Sequence, residues 1–225
     1  YTQVNSSAAS DVYKRQARRR STSIANYQLR RLDPTTSEPW YTLSVEFPPD
    51  ELLTRRLRLR RPRLEDAEAA FESYASDAGI TRYLTWTAHT SPSQTREYFQ
   101  QSIDAWDLRM GHRVWLIERL EDGALLGTIG CTVWFHRVEI GFALGSRYWG
   151  QAYMPEALER VCQAAFEDSR IFRVQALCDE ENRQSARVME KVGMTCEGKL
   201  RSYGDHPNRS DVPRDCLMYA LVRGD

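Results

Sequence analysis

An excess of either charge is what this chain lacks most plainly. Its 31 lysines and arginines are matched by 31 aspartates and glutamates, so no overall field draws it to nucleic acid or to an anionic lipid surface. No apolar run approaches the roughly 18 residues a membrane span requires, and no charged-then-apolar leader opens the sequence. The expectation is a soluble cytoplasmic protein with neither a membrane nor a nucleic-acid partner. Histidine is scarce, at four residues, and the five cysteines are an odd number without a C-x-x-C pair. That excludes a disulfide framework and gives no metal-ligand spacing. Cys131, Cys162, Cys178, Cys196 and Cys216 each fall in an apolar or strand-like stretch and read as buried thiols. Both common nucleotide loops are missing as well, G-x-x-x-x-G-K-[ST] and G-x-G-x-x-G.

What is present is one domain's worth of core, with 41% apolar residues in a 225-residue chain. Residues 7–16 look like a translated sequencing-adaptor remnant, so 1–16 are set apart as artefact. Residues 17–50, with Arg18, Arg19 and Arg20 and no sustained periodicity, read as a disordered or non-native leader. The folded domain is expected over 51–225.

Within it, Leu57 and Leu59 alternate with arginines, as a strand with a solvated face does. A helix is predicted over 64–75, with Asp66 and Glu68 in its first turn. A second starts at Ser91-Pro92-Ser93 and runs to about Arg109. The aromatic loop 83–89 between them is a candidate cover for a substrate pocket, or plain packing between helices and sheet. Strands follow at 114–117, 125–133 and 138–144, the first two joined by a turn at Asp122-Gly123. From Met154, apolar residues recur at helical spacing, and 171–177 reads as the next strand. A strand, a helix and a strand in that order imply a parallel pair. A short helix over 182–192 and strands at 194–200 and 215–222 close the chain. The result is a mixed α/β fold with a mostly antiparallel twisted sheet of about 6–7 strands, a central βαβ crossover and about four helices.

The junction at 147–156, Arg-Tyr-Trp-Gly-Gln-Ala-Tyr-Met-Pro-Glu, joins the central strand to the helix of that crossover. A small-residue turn there bares the first N–H groups of the helix and aims them, with the positive end of its dipole, at whatever lies in front. Arg147-x-x-Gly150-x-Ala152 matches the [QR]-x-x-G-x-[GA] signature of the GNAT superfamily of N-acetyltransferases. Some thirty residues on, Asn182-x-x-Ser185-x-Arg187-Val188-x-Glu190-Lys191-x-Gly193-Met194 resembles the second block of the RimJ/RimL-type, ribosomal-protein N-terminal acetyltransferase branch. The resemblance covers about residues 52–223.

It implies an enzyme that uses acetyl-CoA as acetyl donor and no metal. An amine, either a protein N-terminal α-amine or a small molecule, would attack the thioester directly in a ternary complex. The alternative is a catalytically silent coenzyme A-binding module. By resemblance, the amides of Trp149, Gly150, Gln151, Ala152 and Tyr153 hold the pyrophosphate and Arg147 adds positive charge. The main chain of Phe142, Ala143 and Leu144 pairs with the pantetheine arm, and Asn182, Ser185 and Arg187 complete the coenzyme side. Asn182 suits a helix N-cap equally well. Ser185 is the candidate acid for the leaving thiolate. The base is open: Gly204 stands about where some relatives carry a carboxylate, which leaves Glu139 first, with Asp205 and His206 behind it. Trp86 and Tyr203 are the expected substrate-binding positions, and the protein is expected as a monomer or homodimer.

Overall fold

In the computed structural model the described residues are 47–225. The readings on residues 1–46, an adaptor remnant and most of a leader, lie outside them. Residues 47–50, grouped with that leader, touch the domain. Phe47 is buried against Trp115, with ring centroids 6.2 Å apart, and Pro49 O accepts the Trp115 indole N–H at 2.9 Å.

One sheet of eight strands runs through the domain: β1 (Glu51–Leu53), β2 (Leu57–Arg60), β3 (His112–Arg119), β4 (Leu125–Trp134), β5 (Arg137–Leu144), β6 (Arg173–Asp179), β7 (Thr195–Gly204) and β8 (Arg214–Val222). Its order is β1-β2-β3-β4-β5-β6-β8-β7, and only β5 and β6 are parallel. The α-helices are α1 (Ala67–Ala70), α2 (Ala78–Thr81), α3 (Pro92–Asp107), α4 (Tyr153–Glu167) and α5 (Arg183–Lys191). This is the mixed α/β sheet with a central βαβ unit that the sequence predicts. Short β1 and α2 account for the eighth strand and the fifth helix. Neither is long enough to carry a period; α2 is nucleated by Asp77, whose carboxylate caps Gly79 N at 2.7 Å.

Alternation along β5 sorts the core into two layers. Val138 and Ile140 face the layer that holds Ala157, Leu158, Val161 and Ala165 of α4 and Met189 of α5. Ala143 faces the other, with Ala70, Tyr74 and Phe99 beneath α1 and α3. Because α4 presents apolar residues three and four apart, it lies along the sheet and delivers its first turn to the end of β5.

Three local readings change. The segment predicted as one helix over 64–75 is a 3-10 turn (Leu64–Asp66), then α1, then a π turn (Phe71–Ala75) that lets Ser73 donate to Leu125 O at 2.6 Å. Among the arginines of 56–61, expected on a solvated strand face, Arg56, Arg58 and Arg61 stay partly exposed but Arg60 does not. Arg60 is 8% exposed, gripped by both Asp66 oxygens at 2.8 Å and by Glu118 at 2.7 Å. The Asp66 and Glu118 hydrogen bonds raise its pKa further above the ordinary value than burial lowers it. Asp66, six residues on, and Glu118, from β3, together bury this one arginine, a meeting that strand alternation does not reveal. Finally, Cys196 is exposed while the other four cysteines are buried, because β7 is an edge strand with solvent on both faces.

Candidate active site

β5 and β6 pair from Arg137↔Arg173 to Ile140↔Ala176 and then part. The rest of β5 stays with β4, through Gly141↔Gly130 to Leu144↔Gly127, while the end of β6 stays with β8, through Leu177↔Met218 to Asp179↔Cys216. The wedge that opens leaves main-chain groups of β5 residues 141–144 without a strand partner on the β6 side. Phe142 and Ala143 turn their side chains into opposite core layers, so backbone lines the wedge. One acceptor there is engaged: Leu144 O takes the Trp149 indole N–H at 2.8 Å.

At the wide end of β5 the chain makes a 3-10 turn (Ser146–Tyr148) and enters α4 through Gly150 at φ +76° and Ala152 at φ 60°, ψ 20°. No side chain caps α4. The N–H groups of Gly150, Gln151 and Ala152 meet no acceptor among the described residues, and those of Tyr153 and Met154, in the first helical turn, have none within the helix. Backbone alternating through left-handed positions curls successive N–H groups into a concave donor array. Gln151 braces it from inside by donating to Arg147 O at 3.0 Å. Arg147 is exposed beside it, over the Tyr148 ring.

Two further cations belong to this turn: Arg56, from the run that sequence assigns to a solvated strand face, and Arg119, which carries no signal in sequence. Arg56 lies 4.4 Å from the centroid of the Tyr153 ring and donates to Gln151 O at 3.2 Å; Arg119 reaches Tyr153 Oη at 3.3 Å. The nearby first-turn carboxylate of Glu156 is turned away. It accepts from Thr54 Oγ1 at 2.6 Å, Arg56 N at 3.0 Å and Arg56 Nε at 2.6 Å. Burial alone would raise its carboxyl, but these hydrogen bonds hold it below the ordinary carboxylate value. Donors therefore cluster at this turn with both close carboxylates already bonded, Glu156 to Arg56 and Asp122 to Arg119 at 2.6 and 2.9 Å, and Arg147 is the cation left exposed beside it.

Across the wedge, α5 starts at Asn182, whose Oδ1 accepts from Ser185 N at 3.1 Å. The capping role left open by the sequence is thus in place. The Ser185 hydroxyl is half-buried with no hydrogen bond to another described residue, and Arg187 stands exposed two residues along the same helix. Glu139 sits on the paired stretch of β5 before the wedge opens, opposite Thr132 and Gln175, and accepts from Gln175 Nε2 at 3.0 Å.

On the sheet face covered by α1 and α3, the loop 82–91 and the β7–β8 loop meet. Asn208 Nδ2 donates to Thr81 O at 2.7 Å and to Trp86 O at 2.8 Å. Arg209 lies over the Tyr83 ring at 5.2 Å and pairs with Glu181 beside α5. Trp86 is half-buried and stacks on His89 at 5.1 Å, whereas Tyr203, the other expected substrate contact, stands exposed on β7. The partner that folding brings to Trp86 is Asn208. A polar residue in a loop carries no pattern, and its contacts lie more than 120 positions away. No group of three or more side chains placed to hold a metal ion occurs among the described residues, and no helix among them is long and apolar enough to cross a membrane.

This geometry has known counterparts. The family model described as an acetyltransferase (GNAT) domain matches residues 56–195. An uncharacterized N-acetyltransferase, p20 of Bacillus licheniformis, is 31% identical over 177 residues, spanning 77% of this chain and 97% of that protein. The crystal structure of a GNAT-family acetyltransferase from Bacillus anthracis superposes with a TM-score of 0.68 at 26% identity, covering 78% of this chain and 99% of the other. At 20% identity the likeness extends to the fold of RimL, a ribosomal L7/L12 alpha-N-protein acetyltransferase solved with coenzyme A, with a TM-score of 0.67 and 76% and 96% of the two chains covered. With a family model across most of its folded part and a relative matched over nearly that relative's full length, the chain belongs to the GNAT family of N-acetyltransferases.

Proposed function

We propose that the protein transfers the acetyl group of acetyl-CoA to a primary amine, by direct attack of the amine on the thioester in a ternary complex. The observation that carries this reading is the coincidence of two features: β5 and β6 part after Ile140, and the turn that follows β5 presents unpaired N–H donors. A diphosphate satisfies a curled set of amides at a helix N-terminus. An amide-bearing pantetheine arm satisfies a strand edge left without a neighbour.

In this reading the N–H groups of residues 150–153, with Trp149 at the edge of the turn and Arg147, Arg56 and Arg119 around it, hold the pyrophosphate. The main chain of Phe142, Ala143 and Leu144 aligns the arm and polarises the thioester carbonyl. Ser185, whose hydroxyl has no competing bond, returns a proton to the departing sulfur. Asn182 holds α5 in register by capping it, and Arg187, exposed two residues after Ser185, adds positive charge near the coenzyme side through its long side chain. Trp86 and the loop that Asn208 ties to it wall the acceptor side, with Tyr203 at its outer rim. RimL acts on the N-terminal α-amine of a protein, and that acceptor class and small amines are both carried to this chain as candidates.

The test is calorimetric titration of the protein with acetyl-CoA, followed by free-thiol release with a panel of peptide N-termini and small amines. Binding with turnover supports the reading. Binding without turnover across the panel identifies a silent coenzyme-binding domain, and no binding removes the reading altogether.

A further inference from the structure

Three side chains from separate segments converge just beyond the open end of the wedge. Asp179 ends β6, Cys216 is its register partner on β8, and His206 opens the β7–β8 loop. The His206 ring folds back onto the pair, with Nε2 3.6 Å from Cys216 Sγ and 3.9 Å from Asp179 Oδ2, and the residue is 5% exposed. It fits because residue 204 is glycine: a Cβ there would stand 2.8 Å from His206 Nε2 and 2.5 Å from Cys216 Sγ. The His206 carbonyl, accepting from Arg209 N at 2.8 Å and Ser210 N at 3.1 Å, fixes the start of the loop.

The charges around the ring are unequal. From β6, Asp179 is fully buried. Burial would raise its carboxyl, but Arg214 and the Glu181 N–H more than compensate and hold it below its ordinary value. From β8, Cys216 is kept protonated, because burial pushes its thiol up, and Arg214 divides its guanidinium between Asp179 and Glu181. Within the loop, Asp205 is exposed and Arg209 is committed to Glu181. Loop 82–91 contributes the Trp86 carbonyl through Asn208. Nε2 therefore contacts the Cys216 sulfur, with the Asp179 carboxylate next to it at 3.9 Å, while the other nitrogen, Nδ1, is buried with no hydrogen-bond partner among the described residues. In the tautomer with the proton on Nε2, against the Cys216 sulfur, the unpartnered Nδ1 carries the lone pair and can accept.

Resting on the acetyl-transfer reading, we propose that His206 is the base that deprotonates the acceptor amine, with Asp179 as its positioning residue. The amine nitrogen bonds to the acetyl carbon, and the carbon–sulfur bond breaks with its electron pair on sulfur. One N–H proton passes to His206 Nδ1, and the thiolate is protonated from Ser185. Loss of a proton from His206 to solvent and its recovery by Ser185 restore the enzyme. Position supports this assignment. Asp179 ends the strand that forms one side of the wedge, three residues before Asn182, and the loop carrying His206 is the one pinned to Trp86. Glu139 instead lies on the closed stretch and accepts from Gln175.

The experiment measures thiol release against pH for the full chain and for His206→Ala, His206→Gln, Asp179→Asn and Glu139→Gln, with acetyl-CoA affinity by calorimetry. Expected are a fall in kcat on the order of 10²-fold for both His206 variants, acetyl-CoA affinity within about threefold of wild type, loss of the acidic limb of the profile, and partial rescue of His206→Ala by added imidazole. Asp179→Asn moves that limb to lower pH, and Glu139→Gln leaves it in place. Because the ring is buried, His206→Gln preserves its volume should the alanine variant misfold. Wild-type turnover with an unchanged acidic limb in His206→Gln overturns this proposal alone. Wild-type protein that binds acetyl-CoA and turns over no amine overturns the enzymatic reading and the proposal together.

Discussion

Arg56 and Glu156, 100 residues apart, share a 2.6 Å hydrogen bond from Nε to Oε2 that joins the β1–β2 turn to the first turn of α4. The same carboxylate accepts from Thr54 and from the Arg56 N–H, so one side chain organises a segment that has no regular structure of its own. Replacing it with glutamine removes the charge from three hydrogen bonds. Glu156→Gln should destabilise the domain by about 1–3 kcal/mol and weaken acetyl-CoA binding, since Arg56 loses its anchor beside the donor turn. Thermal melts and calorimetry check both effects.

That carboxyl is also part of the acid response. Glu156, Asp66, Asp168 and Asp179 all titrate below their ordinary values in the folded chain, held there by hydrogen-bonded partners against the opposing effect of burial. A carboxyl with a depressed folded pKa contributes stability that is present above its unfolded value, about 4, and is lost as pH falls through the folded one. Stability should hold from neutral pH down to about 5 and decline steeply below 4. Denaturant midpoints measured across that range test it, and Glu156→Gln should show a shallower decline.

Gly150 stands at φ +76°, and a Cβ on it would meet nothing within 4 Å. A side chain there meets strain rather than a clash. For a β-branched residue the left-handed conformation costs on the order of 1–3 kcal/mol, and the turn can relieve it by rotating its N–H groups out of the concave array. Gly150→Val should therefore weaken acetyl-CoA binding at least tenfold and lower the melting temperature by only a few degrees. An affinity equal to wild type would remove the donor turn from the binding account.

Asn208 holds two main-chain acceptors at once, on Thr81 and Trp86. Asn208→Ala loses both hydrogen bonds, each worth about 0.5–1.5 kcal/mol, and frees the β7–β8 loop from loop 82–91. KM for the amine should rise severalfold while acetyl-CoA affinity stays the same. A rise confined to acetyl-CoA would place these loops on the wrong side of the wedge.

Much of this architecture is legible along the chain because its determinants are local. The apolar spacing of α4, the alternation of β5 and the small residues between them mark a strand, a turn that bares N–H groups and a helix, and Asn182 with Ser185 marks the start of α5. The fold class and the donor turn follow from such runs, since the groups involved are main-chain amides whose exposure depends on neighbouring residues. Tertiary structure alone decides the acceptor side and the charge state of the core. Arg60 becomes buried when Asp66 and Glu118 meet it. Arg56 and Arg119 join the donor turn through contacts across the sheet edge. His206 finds Asp179 and Cys216 only after β6, β8 and a loop converge under a glycine. Periodicity records what each residue does relative to its own helix or strand, whereas side-chain electrostatics depend on distances between segments, which are set only when the chain packs.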